Sequence, residues 1–254
     1  MGVSDRTRHM EVAWAVMHGL SDVRGMPFVL KGGNSLRMCY GSTRFSEDID
    51  LDAVPSARNK QAFFETLDDV CDENGWTYRK AKDTPFVSRA IVHYDDDAIL
   101  KVEVSHRQSR IDPDLTQVVH GVRVYDIDSL CLMKCRAYGD RDRIRDVEDV
   151  VFIAERYGDS LSPVVRNSLA ETLAQQGLEK FDYVVGTASE SELANVDVVR
   201  LGERFLDVCE GLGVLVGNEH GEDSIVFSED EDKPVPVWDG PVDGSDGIGR
   251  DFGC

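Results

Sequence analysis

Apolar residues recur at helical spacing through Met10, Val12, Ala13, Val16, Met17 and Leu20. That stripe predicts an amphipathic helix over residues 5–20, packed on a sheet. Phe28-Val29-Leu30 follows as a short apolar run of strand type. Gly32-Gly33 breaks it with a turn that glycine adopts at little steric cost. Asn34 or Ser35 is placed to cap a short helix through Tyr40. Acidic and apolar residues then alternate along Glu47-Asp48-Ile49-Asp50-Leu51-Asp52. A period of two puts Asp48, Asp50 and Asp52 on one strand face and Ile49 and Leu51 on the other. Phe63, Phe64, Leu67, Val70 and Cys71 share one side of a helix predicted over 56–74, which Asn74-Gly75 ends. Residues 76–80 read as a short strand. Runs at 86–94 and 98–105 alternate on either side of Asp95-Asp96-Asp97, a hairpin signal. In the second run Lys101 and Glu103 share one face, exposed on the sheet or turned to a metal.

Residues 106–125 read as a loop and a short strand ending in Val122-Arg123-Val124. Asp126 or Asp128 caps a helix to about Tyr138 that carries Lys134. Gly139-Asp140 breaks it, and a second helix is predicted over 142–157. Arg145 and Asp149 stand four apart there and can pair on one face. Read alone, this segment is a salt-bridged helix hairpin. Further helices are predicted over 161–176 and 189–210. After Gly217 the periodicity stops, and eleven Asp and Glu face only Lys233 and Arg250. That composition predicts a flexible acidic tail over 217–254. The expected organisation is a strand-rich domain over 1–125, a helical domain over 126–216 and the tail.

Charge narrows the classes of function. The 254 residues carry 48 acidic and 28 basic side chains, a formal net charge of −20. A chain so acidic is a poor general coat for nucleic acid or for an anionic membrane, although a local basic site is compatible with it. The opening MGVSDRTRHM is polar, and no apolar run reaches membrane length. The six cysteines form no C-x-x-C, so reduced thiols in a cytoplasm are expected. No Walker A loop, G-x-S-x-G elbow or G-x-G-x-x-G is present.

The chemistry gathers between Phe28 and Asp52. Neighbouring carboxylates repel unless a cation lies between them, and hard oxygen ligands suit Mg²⁺ or Mn²⁺. A glycine turn at a helix N-terminus offers backbone N–H groups and a positive dipole end to phosphate. The D-x-D alone reads better as solvated acids on a surface strand, because the chain is rich in Asp. Joined to the Gly-Gly turn and the strand before it, it favours nucleotide chemistry.

The order K-G-G-x-S-L, R-F-S-E-D-I-D-L, K-V-E-V, D-x-x-S-L-x-x-x-K and R-D-x-x-D resembles the AbiEii/AbiGii nucleotidyltransferase family of MenT-like toxins, over about residues 10–210. The resemblance implies an α+β, polymerase-beta-like nucleotidyltransferase fold: a small mixed sheet flanked by helices, then a helical part. It implies that Gly33 and Ser35, with Gly32 in the same turn, bind phosphate. Asp48 and Asp50 match the metal-binding D-x-D. Glu103 falls where a third metal carboxylate sits, often Asp in relatives. Lys134 matches a nucleotide-contacting lysine, and Asp146 or Asp149 the acid of the last motif. Implied catalytic residues are thus Asp48, Asp50, Glu103, Lys134 and Asp146; implied nucleotide contacts are Gly32, Gly33, Ser35, Lys134 and Asp149. Mg²⁺ (or Mn²⁺) is the implied cofactor and an NTP the substrate. The implied acceptor is RNA, foremost the 3′ end of tRNA, and a cognate antitoxin is the implied partner. Basic islands around 79–110 and 136–145, Arg141 and Arg143 among them, are expected to meet RNA. The rivals are an antibiotic or other small-molecule nucleotidyltransferase, favoured by an acidic pocket of substrate size, a kinase on the same fold, and a binding module without catalysis.

Overall fold

The computed structural model describes residues 3–214. The first apolar stripe forms α1 (Val3–Asp22), with Val12, Ala13, Val16, Met17 and Leu20 buried. β1 (Val29–Lys31) leads directly into α2 (Gly32–Tyr40). This helix starts earlier than the expected caps: Lys31 is its N-cap, and no side chain caps it. Ser35 and Asn34 lie inside the first turn instead. Ser35 Oγ donates to the Gly32 carbonyl at 2.7 Å, and Asn34 Nδ2 donates to the Asp48 carbonyl at 2.8 Å. Gly32 makes the sharp strand-to-helix change possible with φ of 76°.

β2 (Asp48–Asp52) and α3 (Ala57–Asn74) follow, α3 capped by Ser56 and closed by a left-handed Gly75. β3 (Thr77–Asp83), β4 (Val87–His93) and β5 (Ile99–Ser105) form an antiparallel run. The expected loop before residue 122 contains an additional strand. β6 (Thr116–Val119) pairs with β7 (Val122–Tyr125) through His120-Gly121, both at positive φ (51° and 81°). That backbone suits a two-residue hairpin turn. The sheet order is β3-β4-β5-β2-β1-β7-β6. The β2–β5 and β1–β7 pairs are parallel, and the others antiparallel.

Helices take over after Tyr125. α4 (Ile127–Asp140) is capped by Asp126, which accepts from the Ser129 amide. It ends at Asp140, two residues past the expected Tyr138, and the expected break before the next helix follows. α5 (Ile144–Tyr157) follows. α6 (Pro163–Thr187) outruns its predicted end at 176, kinking at Gly177 (φ 59°) and continuing. The helix expected over 189–210 is two pieces. α7 (Glu190–Leu193) is a single turn held by a Ser189–Glu192 capping box, and α8 (Val198–Gly211) starts afresh on the Asp197 cap. One apolar core joins sheet and helices, from Leu30, Ile49, Leu51 and Val102 to Tyr138, Val150, Leu169 and Phe205. Each such side chain contributes roughly 1.5–3 kcal/mol by leaving water.

The described residues fall within one compact unit. The passage from β7 to α4 is where we propose the limit between a catalytic and a helical part. The acidic segment 217–254 lies outside the described residues.

Candidate active site

Strand register builds the first half of the site. Asp50 stands opposite Glu103 and Asp48 opposite Lys101 on the parallel β2–β5 pair. Lys31 stands opposite Asp50, and Arg89 opposite Glu103. The alternation therefore turns Asp48, Asp50, Asp52 and Glu103 to one face, while Ile49, Leu51, Val102 and Val104 enter the core.

Three of these acids hold a base. Lys101 Nζ donates to Asp48 Oδ2 at 2.5 Å, and Arg89 Nε to Glu103 Oε2 at 2.5 Å. Lys31 Nζ donates to Asp52 Oδ1 at 2.6 Å. Asp52 is buried and also accepts from Tyr125 (3.0 Å) and Gln108 (3.1 Å), which makes it a structural acid. Asp50 has no ion pair among the described residues. Burial, and next the charge of Asp48, raise its carboxyl above the ordinary value, with Lys31 and Lys101 opposing.

The glycine turn joins this face to a second cluster. A Cβ at Gly32 would lie 2.9 Å from Asp50 Oδ2. A Cβ at Gly33 would lie 2.2 Å from Arg44 Nη2 and 2.7 Å from Ser46 Oγ. Close approach, not backbone conformation, favours glycine at position 33, because a Cβ would displace the Arg44 and Ser46 side chains. Arg44 forks onto Asp149 through Nε (2.7 Å) and Nη2 (3.0 Å), and its Nη1 donates to the Phe45 carbonyl (3.1 Å). Lys134 Nζ lies 2.7 Å from Asp149 Oδ2. Asp149 is 1% exposed and Lys134 7%.

The expected Arg145–Asp149 pair is absent. Arg145 is exposed, whereas Asp149 points inward to the two cations. Arg145 lies at the solvent edge of the helix, while the core claims the stripe holding Asp146, Val147, Asp149 and Val150. Asp146 is buried; Arg141 Nε is 3.6 Å from its Oδ2, too far for a hydrogen bond, and that oxygen has no hydrogen-bond partner among the described residues. The Ser35 hydroxyl is turned back on Gly32. Lys31 and Lys101 were not foreseen as parts of the site, and Arg44 and Arg89 only as basic residues for RNA, not as partners of Asp149 and Glu103. The sequence does place Arg44 four residues before Asp48, but its partner Asp149 is 105 residues away.

A cavity of about 1070 Å³ opens beside Asp48. Asp5, Glu47, Asp48, Asp95, Asp96 and Asp97 line it, against Arg8 and Lys101. His9 lies in its wall, bonded to the Tyr94 hydroxyl (2.8 Å) and the Glu47 carbonyl (3.0 Å). Burial lowers its pKa.

Among the described residues, no group of three or more His, Cys, Asp or Glu is arranged to hold a metal. The D-x-D does fit a divalent cation as a pair. Asp48 and Asp50 offer hard oxygens from one face, and a cation would relieve the burial and repulsion that raise Asp50. Glu103 is engaged by Arg89. Among the described residues, no helix is long and apolar enough to cross a membrane.

A family model, that of the nucleotidyl transferase AbiEii toxin of type IV toxin–antitoxin systems, matches residues 20–207. No curated protein matches the chain. Among solved structures the chain is similar to JHP933 from Helicobacter pylori, with a TM-score of 0.65 and 22% identity over 84% of this chain and 95% of that one. It is also similar to the nucleotidyltransferase toxin MenT4 from Mycobacterium tuberculosis, with a TM-score of 0.52 and 18% identity over 83% and 85%. At these identities the likeness carries the fold, which is the expected α+β, polymerase-beta-like nucleotidyltransferase fold.

Proposed function

The chain belongs to the AbiEii nucleotidyl transferase toxin family, and from that premise we propose that it transfers NMP from an NTP to an RNA acceptor, foremost the 3′ end of tRNA, in a Mg²⁺-dependent reaction. It is a nucleotidyltransferase toxin, so an NTP is its substrate and an antitoxin its partner. We place it in the cytoplasm, where tRNA is at hand.

One observation carries the reading. A single turn has the D-x-D carboxylate against Gly32 and a cation cluster against Gly33. A metal and a polyphosphate are thereby addressed by adjacent residues. Bound at Asp48 and Asp50, Mg²⁺ would neutralise phosphate charge and ease loss of the acceptor proton. The first-turn amides of α2 and Lys134 hold the terminal phosphates. The acceptor hydroxyl oxygen attacks the α-phosphorus in line. The bond from that phosphorus to the bridging oxygen breaks, and pyrophosphate leaves with the electron pair.

A second reading is favoured by the acidic cavity. Its six carboxylates, Asp48 among them, suit a small cationic acceptor better than an RNA backbone. Several of the expected RNA contacts are already engaged, with Arg89 on Glu103, Arg141 near Asp146 and Arg143 on Glu192. Arg141 and Arg143 stay more than half exposed, at 53% and 55% of their side chains, and can still meet phosphate.

The test is incubation with each α-labelled NTP, Mg²⁺ and total cellular RNA, with RNA, protein and small molecules counted separately. Label on RNA is the expected result. Label on added polyamines or aminoglycosides alone would move the assignment to the cationic acceptor. Release of ADP without pyrophosphate would mean a kinase.

A further inference from the structure

We propose that Arg44 is a direct ligand of the nucleotide's terminal phosphates, and that Asp149 is a positioning residue that holds Arg44 and Lys134 without touching the nucleotide. The inference rests on the nucleotidyltransferase reading and assigns the inner wall of its phosphate site.

Charge is the first argument. Arg44 and Lys134 share one ion-pair partner, Asp149; Glu148 also acts on Arg44 through its charge but makes no ion pair with it. Their side chains are only 15% and 9% exposed. Two cations with so little water around them and one ion-pair partner between them gain from a further anion.

Geometry supplies the second. The guanidinium lies against Gly33, so close that a Cβ there would strike Nη2. It therefore sits where the first turn of α2 presents its amides. That nine-residue helix has no side-chain cap, and its N-terminal dipole has the same sign as the cations.

Donor capacity is the third. Arginine has five N–H donors. Arg44 commits one through Nε and one through Nη2 to Asp149, and one through Nη1 to the Phe45 carbonyl. Among the described residues, one N–H on each Nη is left without an acceptor, two donors available to phosphate oxygens.

The opposite holds for Asp149. Its Oδ1 accepts from Arg44 Nε, and its Oδ2 is shared by Arg44 Nη2 and Lys134. At 1% exposure it has no open edge, and its charge would repel a phosphate. It acts on the nucleotide only through the two cations it aligns.

The test compares inorganic tripolyphosphate, NTP and free nucleoside by calorimetry on the intact protein with Mg²⁺, with melting temperature as the folding control. Arg44→Ala should weaken tripolyphosphate and NTP binding by the same factor, about 10- to 100-fold, and leave the nucleoside unchanged. Arg44→Lys should fall between, because it keeps charge but loses the fork. Asp149→Asn should change tripolyphosphate and NTP affinity by an equal factor. Unaltered tripolyphosphate affinity in folded Arg44→Ala would overturn the phosphate role while leaving nucleotidyl transfer standing. A change confined to NTP in Asp149→Asn would make Asp149 a nucleoside contact and overturn its positioning role. Should Asp149→Asn fail to fold, the Arg44 pair decides the proposal alone. Wild-type protein that binds neither tripolyphosphate nor NTP would overturn both the inference and the reading beneath it.

Discussion

The sheet face and the helical cluster on either side of the glycine turn are opposite in charge balance. On the sheet, Asp48, Asp50, Asp52 and Glu103 meet Lys31, Arg89 and Lys101, and Asp50 is the acid left over. Between α2, α4 and α5, Arg44 and Lys134 share one ion-pair partner, Asp149. One half is short of a positive charge and the other of a negative one. A metal–triphosphate complex carries both in one ligand. The surplus charges differ in their cost as well. Asp50 is an acid that burial and Asp48 disfavour, so its loss should relieve the fold. Among the described residues, Asp149 is the shared ion-pair partner of two cations of low exposure, so its loss should harm the fold.

The largest effect is expected where the sheet half loses its surplus. Asp50→Ala, or Asp48→Ala, should lower nucleotidyl transfer on the order of 10³-fold. The metal-free melting temperature should hold or rise. Full activity in either variant, measured with α-labelled NTP, would remove the metal assignment.

The matching change in the other half should behave oppositely in stability. Asp149→Ala strands two cations of low exposure. Breaking a buried pair of this kind costs about 3–5 kcal/mol. Urea unfolding without ligand should show a loss of that order, against none for Asp50→Ala. Equal stability of the two variants would break the contrast.

The two halves also differed in how legible they were. The sheet half is nearly all local. Period-two alternation from Asp48 to Asp52 and from Lys101 to Ser105 decides which side chains share a face, so the acids could be read before any fold was known. At Asp52 the pattern decides the face but not the role, because Lys31, Tyr125 and Gln108 gather on it from distant segments. The helical half depends on long-range meetings. Arg44 comes from the α2–β2 connection, Lys134 from α4 and Asp149 from α5. The i,i+4 rule offered Arg145 as the partner of Asp149, but the rule describes a solvated helix surface. This stretch of α5 faces the core, and tertiary packing supplied other partners. The family motifs pointed to Lys134 and the acidic last motif without saying that the acid binds the lysine. β6 and the continuation of α6 beyond Gly177 escaped for a local reason. A four-residue strand offers little alternation, and a glycine in a helical pattern reads as an end.

A pH series sharpens the charge of the sheet half. Burial raises the Asp50 carboxyl above its unfolded value of about 3.9. Stability linked to this group is fully present below the unfolded pKa and is lost as pH rises through the folded one. Asp50→Asn cannot ionise, so it avoids that loss. Its metal-free melting temperature should exceed that of the wild type at pH 7, and the two curves should converge as pH falls below 4. A constant gap across the series would trace the gain to packing and not to charge.

The smallest effect is expected at the rim of the positive half. Arg141 and Arg143 precede α5, more than half exposed, near Asp146 and Glu192. Exposed ion pairs of this kind contribute about 0–1 kcal/mol, so replacing both by alanine should barely move the melting temperature. They are outside the Arg44–Asp149–Lys134 cluster, so tripolyphosphate binding should also hold. RNA is different, because each phosphate contact releases counterions. The slope of log affinity against log salt should flatten by about 1 to 2 in the double variant if both arginines touch the acceptor backbone. The measurement is tRNA binding across a salt series, with wild type and variant side by side. An unchanged slope would take the RNA path away from this rim. The positive half would then serve the nucleotide alone, and the acidic cavity beside Asp48 would become the favoured acceptor site.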